Sequence, residues 1–188
     1  MTSGQDGIGR CGRPRSRCAA AVLAVVATLA GCGTAGNGAT VAPVTMTVNS
    51  EAFSGNILPQ RYTCHGARIN PPLEWSGAPS GTKSFALVVD DSSAPITPFI
   101  YWLVFDIGPG TTDIQEGALP TGARQALNSA GTAAYDAPCP TYSHFYRFTV
   151  YALSTTLNQA NGASLEAVWT AIAAATIGRG RKAVTGGP

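Results

Sequence analysis

Charge is scarce in this chain: only 12% of its 188 residues are Asp, Glu, Lys or Arg, while 45% are hydrophobic. That balance excludes a disordered or acidic-tail protein, which needs high charge and low apolar content. Histidine is scarcer still, with His65 and His144 alone. No His-x-x-x-His or Cys-x-x-Cys spacing occurs, so the sequence offers no metal-ligand set, and no metal or cofactor is expected. No internal repeat is found. The 22 Gly and 13 Pro follow no period, which excludes collagen and favours a loop-rich β protein. The length suits one domain plus a leader.

The leader is read from its order of features. Arg10, Arg13, Arg15 and Arg17 precede an uncharged apolar run from Ala19 to Ala30. Twelve residues are too few to span a bilayer as a stable helix, and a basic start before a short apolar run is the layout of a secretory signal peptide. The run ends in Leu29-Ala30-Gly31-Cys32, which resembles the bacterial lipoprotein cleavage box. Residues 1–31 are therefore expected to be removed and Cys32 lipidated, which would hold the protein on the extracytoplasmic side of the cell membrane; an uncleaved signal anchor is the alternative. Cleavage takes away four of the 12 basic and one of the 10 acidic residues, leaving a net charge of −1. No basic stripe remains, so nucleic acid is not an expected partner. Residues 32–43 are small, uncharged and Gly-rich, as a flexible tether should be; eleven such residues span about 18 Å.

Two of the five cysteines leave with the leader. Cys64 and Cys139 remain in an exported, oxidising setting and are expected to form a disulfide, with two buried thiols as the alternative. Closing that 75-residue separation would stabilise the fold by about 4 kcal/mol in the chain-entropy account.

From Val44 onward β signals dominate. Val44, Met46 and Val48 alternate with threonines. Phe85 to Val89 is continuously apolar, as a strand buried on both faces should be. Ile100 to Ile107 and Phe145 to Leu153 are further strands, the latter with Tyr146, Phe148, Val150 and Ala152 on one face. Pro/Gly turns separate them, and the pattern predicts an antiparallel sandwich with long loops. One helix is expected late in the chain. Ser164 caps it, Glu166 suits its positive end, Leu165, Val168, Trp169 and Ile172 form its apolar stripe, and Gly178 stops it.

Candidate site residues follow from spacing. His144 and Tyr146 are two apart on a strand and share a face, so an imidazole and a phenol can both reach one phosphate or carboxylate. Asp91 ends the buried strand, where functional loops begin, and a carboxylate there is suited to orient the imidazole. The plain alternative for His144 is a half-buried strand-end residue, and for Tyr101 a core aromatic. His65 reads as an exposed loop residue and Glu74 as a solvated strand position.

Three segments carry a resemblance. The first runs from Phe53 through Ile57-Leu58-Pro59-x-Arg61-Tyr62-Thr63-Cys64-x-Gly66 to Pro71-Pro72-Leu73-x-Trp75. The second is Lys83 to Pro95 with Tyr101-Trp102, and the third is Tyr135-Asp136-Ala137-Pro138-Cys139-Pro140 with His144-Phe145-Tyr146. In order and spacing they resemble the phosphatidylethanolamine-binding protein family, in its bacterial Raf-kinase-inhibitor-like branch, over residues from about 45 to 180. The resemblance implies a mainly β, two-sheet antiparallel sandwich over residues 44–188, with a C-terminal helix and a small anion pocket at one end. It assigns Asp91, Pro138, His144 and Tyr146 to that pocket, with Tyr101 at the place of a pocket histidine. The departures are Ser92 for a proline, Ser93 for a second aspartate, Tyr101 for a histidine, Ala137 for a glycine and Phe145 for an arginine. The implied ligand is a small anion or phospholipid headgroup. The competing readings are a protein that inhibits a protease or kinase partner, and a hydrolase built on Asp91, Ser92 or Ser93, and His144. A serine outside a Gly-x-Ser-x-Gly elbow argues against the enzyme, and none is expected.

Overall fold

The computed structural model describes residues 42–94 and 96–188. The leader, Cys32, the tether up to residue 41, and Pro95 lie outside the described residues. The strands in chain order are β1 (Val44–Thr45), β2 (Thr47–Asn49), β3 (Leu73–Ser76), β4 (Ser84–Asp91), β5 (Phe99–Ile107), β6 (Asp113–Ile114), β7 (Arg124–Gln125) and β8 (His144–Leu153). The helix α1 (Leu165–Ala175) and the strand β9 (Thr176–Gly186) follow. Six strands form one sheet in the order β1-β9-β8-β4-β5-β7, and three form a second in the order β2-β3-β6. Neighbours pair antiparallel except β1, which runs parallel to β9.

Why β4 is apolar on both faces is now clear. One face of the large sheet packs Phe85, Leu87, Val89, Phe148 and Val150 against Met46, Val48, Leu73, Trp75 and Ile114 of the small sheet side. The other packs Ala86, Val88, Leu103, Phe105 and Leu153 against Val168 and Ile172 of α1. Each large side chain taken from water this way contributes about 1.5–3 kcal/mol. The described residues therefore form a two-sheet β-sandwich with a helix laid on the outer face of its larger sheet.

The helix begins where its cap predicts, with the Ser164 hydroxyl accepting from the Ala167 amide at 3.3 Å. Two expectations about it are corrected. The apolar stripe is not uniformly buried: Val168 and Ile172 are, but Trp169 is 43% exposed and rests edge-on against Tyr151, with ring centroids 5.9 Å apart. Nor does Gly178 stop the helix. It ends at Ala175, and the chain passes at once into β9, so the last element is a strand. Gly178 and Gly180 lie inside β9 because other chain segments press on it. A Cβ at Gly180 would stand 2.6 Å from the Met46 carbonyl oxygen, and one at Gly178 would stand 2.7 Å from Pro79. Glycine is required there for close approach. Among the described residues, no helix is long and apolar enough to cross a membrane.

Candidate functional site

The ends of β4 and β8 meet at one end of the large sheet. Their antiparallel register sets Asp91 opposite Tyr146, and the two-residue period puts His144 on the same face. The Asp91 carboxylate uses both oxygens. One lies 2.6 Å from His144 Nδ1, and the other accepts from the Ser93 amide at 2.7 Å. With Nδ1 engaged, Nε2 is the imidazole atom left for a ligand. The Asp91 side chain is 4% exposed and that of His144 15%, so the pair is largely shielded from water.

Aromatic rings complete the site. Tyr146 lies parallel to His144 at 6.0 Å between centroids, and Tyr101 meets Tyr146 edge-on at 5.7 Å. Phe99 backs Tyr101 at 4.8 Å, and the exposed Tyr142 covers the other side of His144 at 4.2 Å. The Tyr146 hydroxyl is buried beside the Tyr101 phenol. Burial, then the charges of Asp91 and Asp136, push the Tyr101 phenol up to about 12. Burial, followed by its neighbours Tyr101 and Asp91, pushes Tyr146 up as well. Both phenols are thus neutral O–H groups across the physiological range.

The structure brings Asp91, Tyr101, His144 and Tyr146 together, and Tyr101 is a half-buried wall of the site rather than an interior core residue. Pro138 stands on the adjoining segment, its carbonyl accepting from the Cys64 amide at 2.9 Å. Cys64 and Cys139 are joined by a disulfide with Cα atoms 5.1 Å apart. His65 reaches to within 4.8 Å of both sulfurs, but atoms already bonded to each other supply no thiolate pair for a metal. The Arg-Tyr-Thr run preceding Cys64 is structural: Tyr62 donates to Glu116 at 2.7 Å, Arg61 pairs with the same carboxylate, and Tyr135 donates to the Tyr62 carbonyl at 2.8 Å.

Four features escape the sequence reading. Asp136 lies in the third motif, yet only the fold places its amide on the Tyr101 carbonyl, at 3.0 Å. Tyr142 carries no signal beyond standing two residues before His144. Gly186 faces the Tyr146 ring so closely that a Cβ would lie 2.6 Å from it; a glycine inside a strand is the signal that could have found it. Ser93 is more than a lost carboxylate, because its hydroxyl accepts from the Phe145 amide at 2.8 Å and ties the turn after β4 to the start of β8.

Residues 48–186 match the sequence profile of the family described as phosphatidylethanolamine-binding protein. The chain is 40% identical over 143 residues to a UPF0098 protein of Methanothermobacter thermautotrophicus, covering 72% of this chain and 95% of that one. It is 36% identical over 189 residues to a Mycobacterium tuberculosis protein named "Putative lipoprotein LppC", covering 89% and 94%. Among solved structures it is similar to E. coli YbcL, titled a new member of the mammalian PEBP family. That match has a TM-score of 0.71 and 30% identity, covering 76% of this chain and 98% of YbcL.

Proposed function

The chain belongs to the phosphatidylethanolamine-binding protein family, and from that premise we propose that it is an exported lipoprotein, held by lipid on Cys32, whose site at His144 takes a small anion. The ligand class is phosphate, a phospholipid headgroup or a carboxylate. The observation that carries this reading is the shielded Asp91–His144 pair, an imidazole oriented by a carboxylate with the Tyr146 and Tyr101 rings packed beside it. Tyr146 and Tyr101 supply neutral O–H donors to anion oxygens, and His144, whose Nδ1–H is given to Asp91, donates from Nε2 as an imidazolium, a charge-assisted bond, while Asp91 and Asp136 set a negative background that disfavours highly charged anions. The mycobacterial relative's name supports the lipid anchor. A catalytic role has less support, since neither Ser92 nor Ser93 stands in a Gly-x-Ser-x-Gly elbow.

A second reading, a protein that docks on and inhibits a partner, is favoured by the exposed Ile96, Tyr142 and Phe145 on the segments flanking Asp91 and His144. Titration of phosphate and phosphoethanolamine against wild type, His144→Ala and Tyr101→His between pH 5 and 8 separates the two. The anion reading expects His144→Ala to bind at least about tenfold more weakly, the worth of one charge-assisted bond. It expects Tyr101→His to bind more tightly at acidic pH, where the added imidazole carries charge. Equal affinity of all three would remove the anion site and favour the partner. Cys32→Ala should release the protein from membranes; continued sedimentation with them after cleavage at a normal site would overturn the lipid anchor.

A further inference from the structure

Helix α1 covers only part of the outer face of the large sheet. Helix α1 has 11 residues and is about 16 Å long, whereas β8 has 10 and β9 has 11, so those strands run about 33 Å. Between the N-terminal turns of α1 and the sheet lies a groove of about 510 Å³, within the range of small-molecule sites. Its apolar lining comes from Val88, Ile100, Tyr151, Leu165 and Trp169. Trp169 is the exposed one of the three tryptophans, and it turns its ring onto Tyr151 at the groove wall.

The groove also carries charge. Arg147, Arg179 and Arg181 line it together with Asp90 and Glu166, a balance of one positive charge. Arg147 is already committed to Asp90, donating from Nε at 2.9 Å. Among the described residues, neither Arg179 nor Arg181 lies within ion-pair distance of a carboxylate. They stand two apart on β9 and so share a face, and both are close enough to Tyr151 to oppose the upward push of burial on its phenol. Arg181 Nε donates to the Thr149 hydroxyl at 3.0 Å.

We propose that this groove is a second binding site, separate from the one at His144, for an amphipathic monocarboxylate: an aliphatic or aromatic body carrying one carboxylate. The body lies on Trp169, Tyr151, Leu165 and Ile100, and the carboxylate takes the forks of Arg179 and Arg181. A single negative charge matches the single uncompensated positive charge of the lining, which a dianion would exceed.

The test is titration of the folded domain with dodecanoate, below the concentration at which dodecanoate forms micelles, following the Trp169 indole resonance assigned by its loss in Trp169→Phe. Dodecanol and acetate serve as probes lacking the charge or the chain. Saturable binding of dodecanoate is expected, with dodecanol and acetate each at least about tenfold weaker. Arg179→Gln/Arg181→Gln, both exposed positions whose fold is checked by circular dichroism, should weaken dodecanoate at least about tenfold and leave dodecanol unchanged. His144→Ala should change nothing. The proposal is overturned by equal binding of dodecanol, by loss of binding in His144→Ala, or by an indole shift that tracks protein self-association instead of added dodecanoate.

Discussion

Asp90 and Asp91 are consecutive on β4, and the pleat sends their side chains to opposite faces of the sheet. Each meets a basic residue of β8, Asp90 with Arg147 and Asp91 with His144. The two pairs have the same origin and different uses. A guanidinium is a permanent cation whose fork closes on its carboxylate, so the Asp90 pair is a finished structural contact. An imidazole offers one nitrogen to Asp91 and keeps the other for a ligand, so the Asp91 pair is an unfinished one. Their surroundings follow suit. The Asp91 face has neutral phenols and carboxylates, whereas the Asp90 face has unpaired arginines and apolar rings. One strand thus supports two sites of different chemistry because neighbouring residues cannot share a face.

The largest test of this contrast removes the clasp found only on the Asp91 face. Cys64→Ala/Cys139→Ala should cost about 4 kcal/mol, since the disulfide closes a 75-residue separation, read as a lower urea midpoint. It should weaken phosphate binding at the His144 site without altering dodecanoate binding in the groove. Equal damage to both would mean that the two faces are not independent.

A smaller effect compares the two aspartates directly. Asp90→Ala strands the partly buried Arg147 guanidinium and should cost about 2–3 kcal/mol by urea denaturation. Asp91→Ala should cost less, because the imidazole it leaves behind need not stay charged, yet it should be the variant that changes phosphate binding. Denaturation and titration of the same two proteins give both readings, and reversed rankings would break the comparison.

The smallest effect lies at alkaline pH. The Tyr101 phenol is pushed up to about 12, so the folded state holds its proton more tightly than an unfolded chain, whose phenols titrate near ~10. The stability this contributes is fully present below about pH 10 and is lost as pH rises toward 12. On the other face, Arg181 and Arg179 counter the effect of burial at Tyr151. Urea midpoints measured from pH 9 to 12 should therefore fall less steeply in Tyr101→Phe than in Tyr151→Phe. Identical slopes would show that the faces do not differ electrostatically.

By itself the sequence determined whatever depends on neighbours along the chain. The continuous apolar run of β4 required cover on both faces, the alternation in β8 separated its two sides, and Ser164 announced the helix start. His144 and Tyr146 were legible as one pair because a two-residue spacing on a strand is a local rule. The tertiary structure decided what depends on segments far apart. Thr176–Gly186 follows the helix as a basic, Gly-rich stretch, yet it becomes the long strand beside β8 because its glycines admit Met46 and Pro79. The partner of Asp90, the place of Asp136 beside Tyr101, and the groove left by a short helix on long strands all arise from strand register and layer packing. Those are set by the balance of burial over the whole domain, and no local stretch of residues encodes them.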